Sequence, residues 1–516
     1  MTCLDDFRRI TVGDATVFHG SNLDVLPLMA DNSVDSIVTD PPYELGFMGK
    51  KWDSTGIAYS VELWRECLRV LKPGGHLLAF GGSRTWHRLA VAIEDAGFEI
   101  RDSVAWLYGS GFPKSHNISK TIDRMAGAER EVIGSRPLTG NGKTMKSGFH
   151  QPDGSGAGET VKQEVFEFTA PATDDAKKWE GWGTALKPAF EPVVVARKPL
   201  IGTVAENVLT WGVGGLNIDA SRIGFADEKD IAEYDFNNNG QNRSTKSEGD
   251  SLDVHEGGWK VQKGEKSVPS GRWPANVILG HTEECQPVGE RSERVGGGAK
   301  GSSGFAAGYS GEGWQGKEIS TTVWECVDGC PVRLLDEQSG FSKSTGIINR
   351  WKDGAKPFGG GAGHEFESIQ GVADSGGASR FFYVSKASKR DRNEGLDELP
   401  NQLKQTQMRS ANGTGDKNFE GGFNDTIQKN IHPTVKPTDL MRYLIKLVTP
   451  DGGLVLDPFT GSGSTGKAAL LDGFRFIGIE LTEDYLPIIE GRLVWADKQK
   501  QEEVAKSQAK EKETLF

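Results

Sequence analysis

The run Val34-Asp-Ser-Ile-Val-Thr-Asp-Pro-Pro-Tyr43 constrains this chain more than any other stretch. Its β-branched residues predict a buried strand, and Pro41 and Pro42 forbid both its continuation and a helix directly after it, so the chain turns there. Asp40 and Tyr43 are left at the strand's end. In an open parallel sheet, ligands bind in the crevice beyond the carboxyl ends of the strands. A carboxylate, two prolines without N–H groups and an aromatic ring make a rigid slot for a flat, amine-bearing ring. Asp40 and the proline carbonyls can accept hydrogen bonds from an exocyclic amine, and Tyr43 can stack on the ring face. The plainer alternative is a loop in which Asp40 caps the next helix and Tyr43 packs.

A chain of 516 residues can hold two or three domains, and 68 glycines with a mean hydropathy of -0.46 predict that much of it is loop. The formal net charge of -12 argues against holding nucleic acid by an overall field, so any such contact must use local basic patches. Five cysteines do not suggest a disulfide framework. With no long apolar run and no signal-peptide pattern in Met-Thr-Cys-Leu-Asp-Asp-Phe-Arg-Arg9, a soluble cytoplasmic protein without a membrane partner is expected.

Taken in order, Ala15 to His19 reads as a strand, with Gly20-Ser21-Asn22 and a helical pattern after it. Beyond the slot, Glu44 to Asp53 sets two glycines among aromatic and basic residues, a loop able to close over a ligand. Its Lys50 and Lys51 are candidates for phosphate contact, or simply solvated surface. Val61, Trp64, Cys67, Leu68 and Leu71 follow helical spacing up to Lys72-Pro-Gly-Gly75; Leu77 to Phe80 is the next strand, Ser83 to Ala96 a helix and Glu99 to Tyr108 a strand. This alternation means crossover units on a parallel sheet. Pattern fades from Gly109 to about Trp182, and Pro192 to Lys198 then reads as an edge strand pairing with residues 102–108.

Residues 223–377 carry the least pattern. Basic residues interleaved with aromatics occur at Arg350 to Lys356 and from Arg380 through Lys386, Lys389, Arg390 and Arg392, after a strand at Phe381 to Val384. Such clusters suit phosphate contact with base stacking, although most are ordinary surface. His281-Thr-Glu-Glu-Cys285 and Cys326-Val-Asp-Gly-Cys330 are two pairs with the spacing that lets a turn deliver two ligands to one tetrahedral zinc. They lie where core-forming residues are scarce and a structural metal would supply folding free energy. A small apolar cluster with reduced thiols, Trp324, Pro331 and Leu334 is the other reading.

The last quarter is strongly patterned again. Ile431-His-Pro-Thr-Val-Lys-Pro437 leads into a helix with Leu440, Met441, Leu444, Ile445 and Val448 on one face. Strand Leu454-Val-Leu456 then opens onto Asp457-Pro-Phe-Thr-Gly-Ser-Gly-Ser-Thr-Gly466, where glycines let the backbone approach a ligand and a helix N-terminus adds directed N–H groups. Gly461, Gly463 and Gly466 fit the dinucleotide fingerprint, with Glu480 ending the next strand, placed to accept ribose hydroxyls. By itself that fingerprint also admits a nicotinamide cofactor. From Tyr485 a helix runs into a Lys/Glu/Gln-rich tail.

Asp40-Pro-Pro-Tyr43 closely resembles motif IV of the amino-methylating DNA methyltransferases, and Asp457-Pro-Phe-x-Gly-x-Gly resembles their motif I. The order, catalytic slot first and cofactor loop last, is similar to the β-class, permuted members. The runs Leu186 to Pro199, Arg380 to Lys389 and His432 to Pro437 look like phage and prophage representatives. The resemblance implies an α/β fold, a Rossmann-like S-adenosylmethionine-dependent methyltransferase sheet, circularly permuted, with a long inserted recognition region. Residues 1–108 would form the catalytic half, 109–182 an insertion, 183–222 the sheet-edge strand and following segment, 223–377 the target recognition region, 378–495 the cofactor-binding half and 496–516 a charged tail. It implies methyl transfer from S-adenosylmethionine to adenine N6 of a base flipped out of double-stranded DNA, with Asp40, Pro41, Pro42 and Tyr43 catalytic. Asp457, Pro458, Phe459, Gly461, Gly463, Thr465 and Glu480 would hold the cofactor. Family strands equivalent to Ala15–His19 end in Gly-Asp, whose carboxylate contacts the cofactor; here Ser21, Asn22 or Asp24 must substitute. Asp rather than Ser at position 40 leans toward adenine over cytosine N4. An RNA or protein methyltransferase and a catalytically inactive DNA-binding protein are weaker readings. A homodimer and a cognate restriction enzyme are compatible partners, in a bacterial cell or a phage-infected host.

Overall fold

The computed structural model describes residues 3–45, 54–108, 115–137, 144–146, 160–162, 165–224, 271–282, 285–295, 317–327, 330–339, 342–343, 347–351, 366–370, 375–376, 378–385, 389–400, 402–406 and 424–514. The chain divides into two units, one of Met1–Ala105, Ser110–Gly215 and Lys389–Phe516, the other of Trp106–Gly109 and Leu216–Ser388.

The first unit is built on strands β1 (Arg9–Val12), β2 (Ala15–His19), β3 (Val34–Thr39), β4 (Leu71–Phe80), β5 (Glu99–Tyr108, whose last residues belong to the second unit), β6 (Phe190–Arg197), β7 (Leu454–Asp457) and β8 (Arg475–Glu480). Their order is β1-β2-β8-β7-β3-β4-β6-β5. The five strands from β2 to β4 run parallel, while β1 and β6 are antiparallel to their neighbours β2 and β4. The two ends of the chain therefore meet at the centre of one sheet, Ala15 opposite Phe476 and Ser36 opposite Val455. Every residue of β3 is buried, as a β-branched run covered on both faces requires. Two of its three polar members are satisfied by these bonds: Asp35 accepts from the Leu454 N–H at 2.7 Å and from Lys72, and Ser36 bonds the Thr449 hydroxyl at 2.7 Å.

Helix α1 (Val61–Val70), capped by the Ser60 hydroxyl, turns Leu63, Trp64, Cys67 and Val70 inward. The buried stripe is thus shifted from the predicted one, because Leu71 already belongs to β4. Helix α2 (Trp86–Asp95) follows β4, and α3 (Thr438–Val448) leads into β7. Helix α4 (Ser464–Leu471) leaves the glycine loop, and α5 (Leu486–Thr514) ends in an exposed stretch after Lys500. Among the described residues no helix is long and apolar enough to cross a membrane.

One expectation is corrected. The segment after Pro192 is not an edge strand; β6 lies between β4 and β5, with Val193 to Arg197 all buried. Pro192 is accommodated because it stands near the strand's beginning, where its carbonyl accepts from the Gly81 N–H at 2.9 Å.

In the second unit, strand Val277–Gly280 pairs in parallel with Tyr383–Ser385, and Gln286–Val295 pairs antiparallel with Lys317–Glu325. The predicted strand at Phe381–Val384 is replaced by a 3-10 turn, Ala378–Phe381, followed by that short strand.

Candidate active site

Strands β3 and β7 are adjacent and parallel, so Asp40 and Asp457 leave the sheet side by side. The Thr39 hydroxyl, fully buried, donates to Asp457 Oδ1 at 2.6 Å and ties the two strand ends together. Asp40 Oδ2 accepts from Lys436 Nζ at 2.6 Å, whereas Oδ1 is buried with no hydrogen-bond partner among the described residues. Lys436, 6% exposed, also donates to the Tyr43 hydroxyl at 3.1 Å and pairs with Glu191 Oε2 at 3.3 Å. The Tyr43 hydroxyl donates to Glu191 Oε2 at 2.7 Å. The Tyr43 ring lies against Gly82 after β4, where an added Cβ would stand 3.2 Å from Cδ2, and the Lys436 ammonium sits 4.9 Å from the centre of the Phe80 ring.

The electrostatics follow from this packing. Burial pushes the Asp40 carboxyl above its ordinary range, against the pull of Lys436. Burial works against the Lys436 ammonium too, yet Asp40 and Glu191 together hold its pKa above the ordinary lysine value. Burial, then the charges of Asp40 and Glu191, keep the Tyr43 phenol protonated well above its usual range. The result is one buried cation between two carboxylates, with Asp40 Oδ1 buried and without a partner among the described residues.

On the cofactor side, Asp457 is occupied internally. Oδ1 takes the Thr39 hydroxyl and the Phe459 N–H at 3.0 Å, and Oδ2 takes the Thr465 hydroxyl at 2.6 Å. Burial still raises its pKa to about 6. Asp457 and Thr465 thereby buckle the loop to β3 and to the first turn of α4. Glu480 accepts from the Gly461 N–H and the Thr482 N–H, both at 2.7 Å, and burial lifts it to about 7. Gly461 (φ +54°) and Gly463 (φ +76°) are in the left-handed region, and a Cβ on Gly461 would stand 2.9 Å from His432 Nε2. Asn22 donates to the Pro458 carbonyl at 3.3 Å, joining the end of β2 to this loop, whereas Ser21 caps the short helix Asn22–Val25. Phe459 faces Trp64 of α1, ring centres 6.4 Å apart.

Beneath the loop, Lys467 and Arg492 are both fully buried. Lys467 reaches Asp391 at 2.7 Å and Glu394 at 2.9 Å, and Arg492 donates to the Ser462 carbonyl at 3.0 Å. This alters the expectation for the basic cluster. The helix Lys389–Asn393 turns Asp391 inward, and Arg392 donates to the His432 carbonyl instead of facing solvent. Arg390 is exposed and pairs with Glu394 at 3.3 Å. Lys50, Lys51 and Lys386 lie outside the described residues, as does the side chain of Lys389. In the second unit His281, Cys285, Cys326 and Cys330 converge, their ligand atoms all within 4.8 Å of one another.

Lys436, Glu191 and Thr39 are the residues that sequence reasoning missed. A signal existed: Asp40, Glu191, Lys436 and Asp457 each directly precede a proline. Such residues are held in extended backbone, and the following ring offers no N–H to compete for the side chain.

A family model described as DNA methylase matches residues 34–133 and 309–491, more than half of the chain, including both the Asp40 slot and the Asp457 loop. The Type II methyltransferase M.ScaI of Streptomyces caespitosus is 40% identical over 73 residues, 14% of this chain and 24% of that protein. The DNA adenine methyltransferase YhdJ of Escherichia coli is 43% identical over 75 residues, 14% and 26%. The chain thus spans about a quarter of the length of these curated relatives. Among solved structures, that of the M1.HpyAVI–SAM complex aligns over 93% of this chain and 99% of that one, at 12% identity and a TM-score of 0.29. With both halves of its sheet-end site inside the matched segments, the chain belongs to the DNA methylase family.

Proposed function

We propose that this protein transfers a methyl group from S-adenosylmethionine to the N6 amine of an adenine in double-stranded DNA, with the base flipped out of the duplex. The observation that carries the reading is Asp40 Oδ1, a buried acceptor with no donor among the described residues, at the end of the strand adjoining the one that opens the glycine loop. An exocyclic amine is the group this oxygen lacks.

The loop's residues fit the cofactor. Gly461 and Gly463 leave the backbone bare of side chains, Glu480 brings a carboxylate to the loop, and Phe459 supplies an aromatic face. The bound donor supplies an electrophilic methyl on a sulfonium. The protein's part is positioning. Asp40 Oδ1 and the Pro41 carbonyl accept the two amine N–H groups, pulling the nitrogen lone pair out of ring conjugation and aiming it, while Pro42 and Tyr43 bound the slot. Lys436 favours the anionic form of Asp40 against the effect of burial and holds it in one rotamer, and Tyr43 is fixed by Glu191. The nitrogen must shed a proton once methylated, and Asp40 Oδ1, whose basicity burial raises, is the base in reach. The second unit is proposed to read the target sequence, and exposed Arg390 of the first unit to contact phosphate.

Asp40→Ala should abolish methylation while leaving S-adenosylmethionine binding intact by calorimetry. Mass spectrometry of nucleosides from treated DNA should give N6-methyladenine. Turnover retained in the variant overturns the role of Asp40, and N4-methylcytosine overturns the choice of base.

A further inference from the structure

The four His and Cys side chains of the second unit are delivered by a specific piece of architecture. Strand Gln286–Val295 pairs antiparallel with Lys317–Glu325, and the register sets Gln286 opposite Glu325. Cys285 and Cys326, one residue beyond each, are therefore held together at the open end of that ladder. His281 follows strand Val277–Gly280, and Cys330 immediately precedes helix Pro331–Ser339. Each pair closes the same kind of turn: the Cys285 N–H donates to the Thr282 carbonyl at 3.1 Å, and the Cys330 N–H to the Val327 carbonyl at 3.2 Å. Two equivalent turns thus face each other across a ladder end.

The geometry is that of a coordination shell. His281 Nδ1 lies 3.4 Å from Cys326 Sγ and 3.5 Å from Cys330 Sγ. A tetrahedral ion with ordinary Zn–N and Zn–S bond lengths sets such atoms about 3.6 Å apart. His281, Cys285 and Cys330 are buried, and all the cysteines are free thiols. A cluster of reduced thiols in an apolar core would explain the burial, but not a buried imidazole aimed by one nitrogen at two sulfurs. Nor would it explain the Thr282 hydroxyl 3.1 Å from Cys285 Sγ, the contact that orients a thiolate ligand. Two of the four buried members of this core cluster, Leu279, Cys285, Cys330 and Val332, are themselves ligand candidates. Trp324 stacks on the imidazole, ring centres 4.4 Å apart at 21°.

We propose that His281, Cys285, Cys326 and Cys330 bind one zinc ion that holds the core of the second unit together. Thiolates and a neutral imidazole select a soft, tetrahedral ion over calcium or magnesium, and four protein ligands leave no open position, so the ion is structural. The site is independent of the methyl-transfer reading and would stand if that reading failed.

The test uses the full chain without a histidine tag. Elemental analysis should find one zinc per chain, and the double variant Cys326→Ser with Cys330→Ser should reduce it to background. Cobalt exchanged into the wild-type protein should give the intense visible bands of a tetrahedral, thiolate-bound ion. Should the double variant fail to fold, chelation of the wild type decides the matter. Zinc release should expose three thiols per ion to a thiol reagent and change the emission of the tryptophan stacked on His281. Protein purified without zinc, giving no tetrahedral cobalt spectrum and thiol reactivity that added zinc does not alter, overturns the proposal, as does iron in zinc's place.

Discussion

Lys436 contacts Asp40, Tyr43 and Glu191 from a fully enclosed position, 396 residues from Asp40 in the chain. Breaking a buried pair by removing one partner typically costs about 3–5 kcal/mol, because the remaining charge is left uncompensated. Lys436→Met should therefore destabilise the first unit and push Asp40, already raised by burial, higher still. A larger share of Asp40 than in the wild type would then be protonated at a given pH, and a protonated carboxyl is a poorer acceptor for the amine. Methyl transfer should fall by about 100-fold or more near pH 7 and recover as pH rises, while Lys436→Arg retains more activity. Rate profiles across pH test this; a uniform loss with unchanged pH dependence would assign Lys436 to packing alone. Glu480 makes a second prediction at this scale. Its folded pKa of about 7 lies above the ordinary 4.5, so the native state binds the extra proton. The stability it contributes is present below its unfolded pKa and is lost as pH rises through about 7, by up to about 3 kcal/mol. Glu480→Gln should flatten the fall in melting temperature between about pH 4.5 and 7; an unaltered slope would show that Glu480 is ionised throughout.

Among elements, the glycine loop between β7 and α4 has the least latitude. Gly461 combines a left-handed backbone with a close approach to His432, whose ring donates Nδ1–H to the Thr434 carbonyl and meets Tyr485 edge-on. Gly461→Ala should cost about 1–2 kcal/mol from backbone strain, with more where His432 cannot yield. Calorimetry should register weaker S-adenosylmethionine binding, and thermal unfolding a lower midpoint; affinity and midpoint equal to wild type would mean the turn relaxes freely. Several of the strands were legible in the sequence, although β1 was not read and β4 begins at Leu71 instead of Leu77. Ala15–His19 and Glu99–Tyr108 coincide with their predicted limits, and Val34 begins where the β-branched run begins; burial on both faces leaves a continuous apolar signature in β3, whereas in β5 only Val104 and Trp106 are buried. The helix Lys389–Asn393 was not legible: its charges read as surface, whereas Asp391 answers Lys467, which carries no apolar signature of its own burial.

At the scale of the whole molecule, the first unit's main core is assembled from its own residues, Phe18, Trp64, Val194, Leu456 and Ile479 among them. Replacing residues 216–388 with a flexible linker should therefore leave S-adenosylmethionine binding within a few-fold of wild type while abolishing methylation of duplex DNA. Loss of both would make the second unit part of the first unit's fold, and retained methylation would remove it from target reading. The strand runs, the proline stops and the glycine turn express short-range sterics, so the residues spell them out directly. Asp40 with Tyr43, and Asp457 with its glycines, could accordingly be picked out before any fold was known, as could the His and Cys spacing. Which charges answer those groups is a different kind of fact. Lys436, Glu191 and Thr39 reach their partners only because β3, β6 and β7 share one sheet and α3 packs nearby; a proline after Glu191 and Lys436 marks the residues, but which of them pair across hundreds of positions is not written in local pattern.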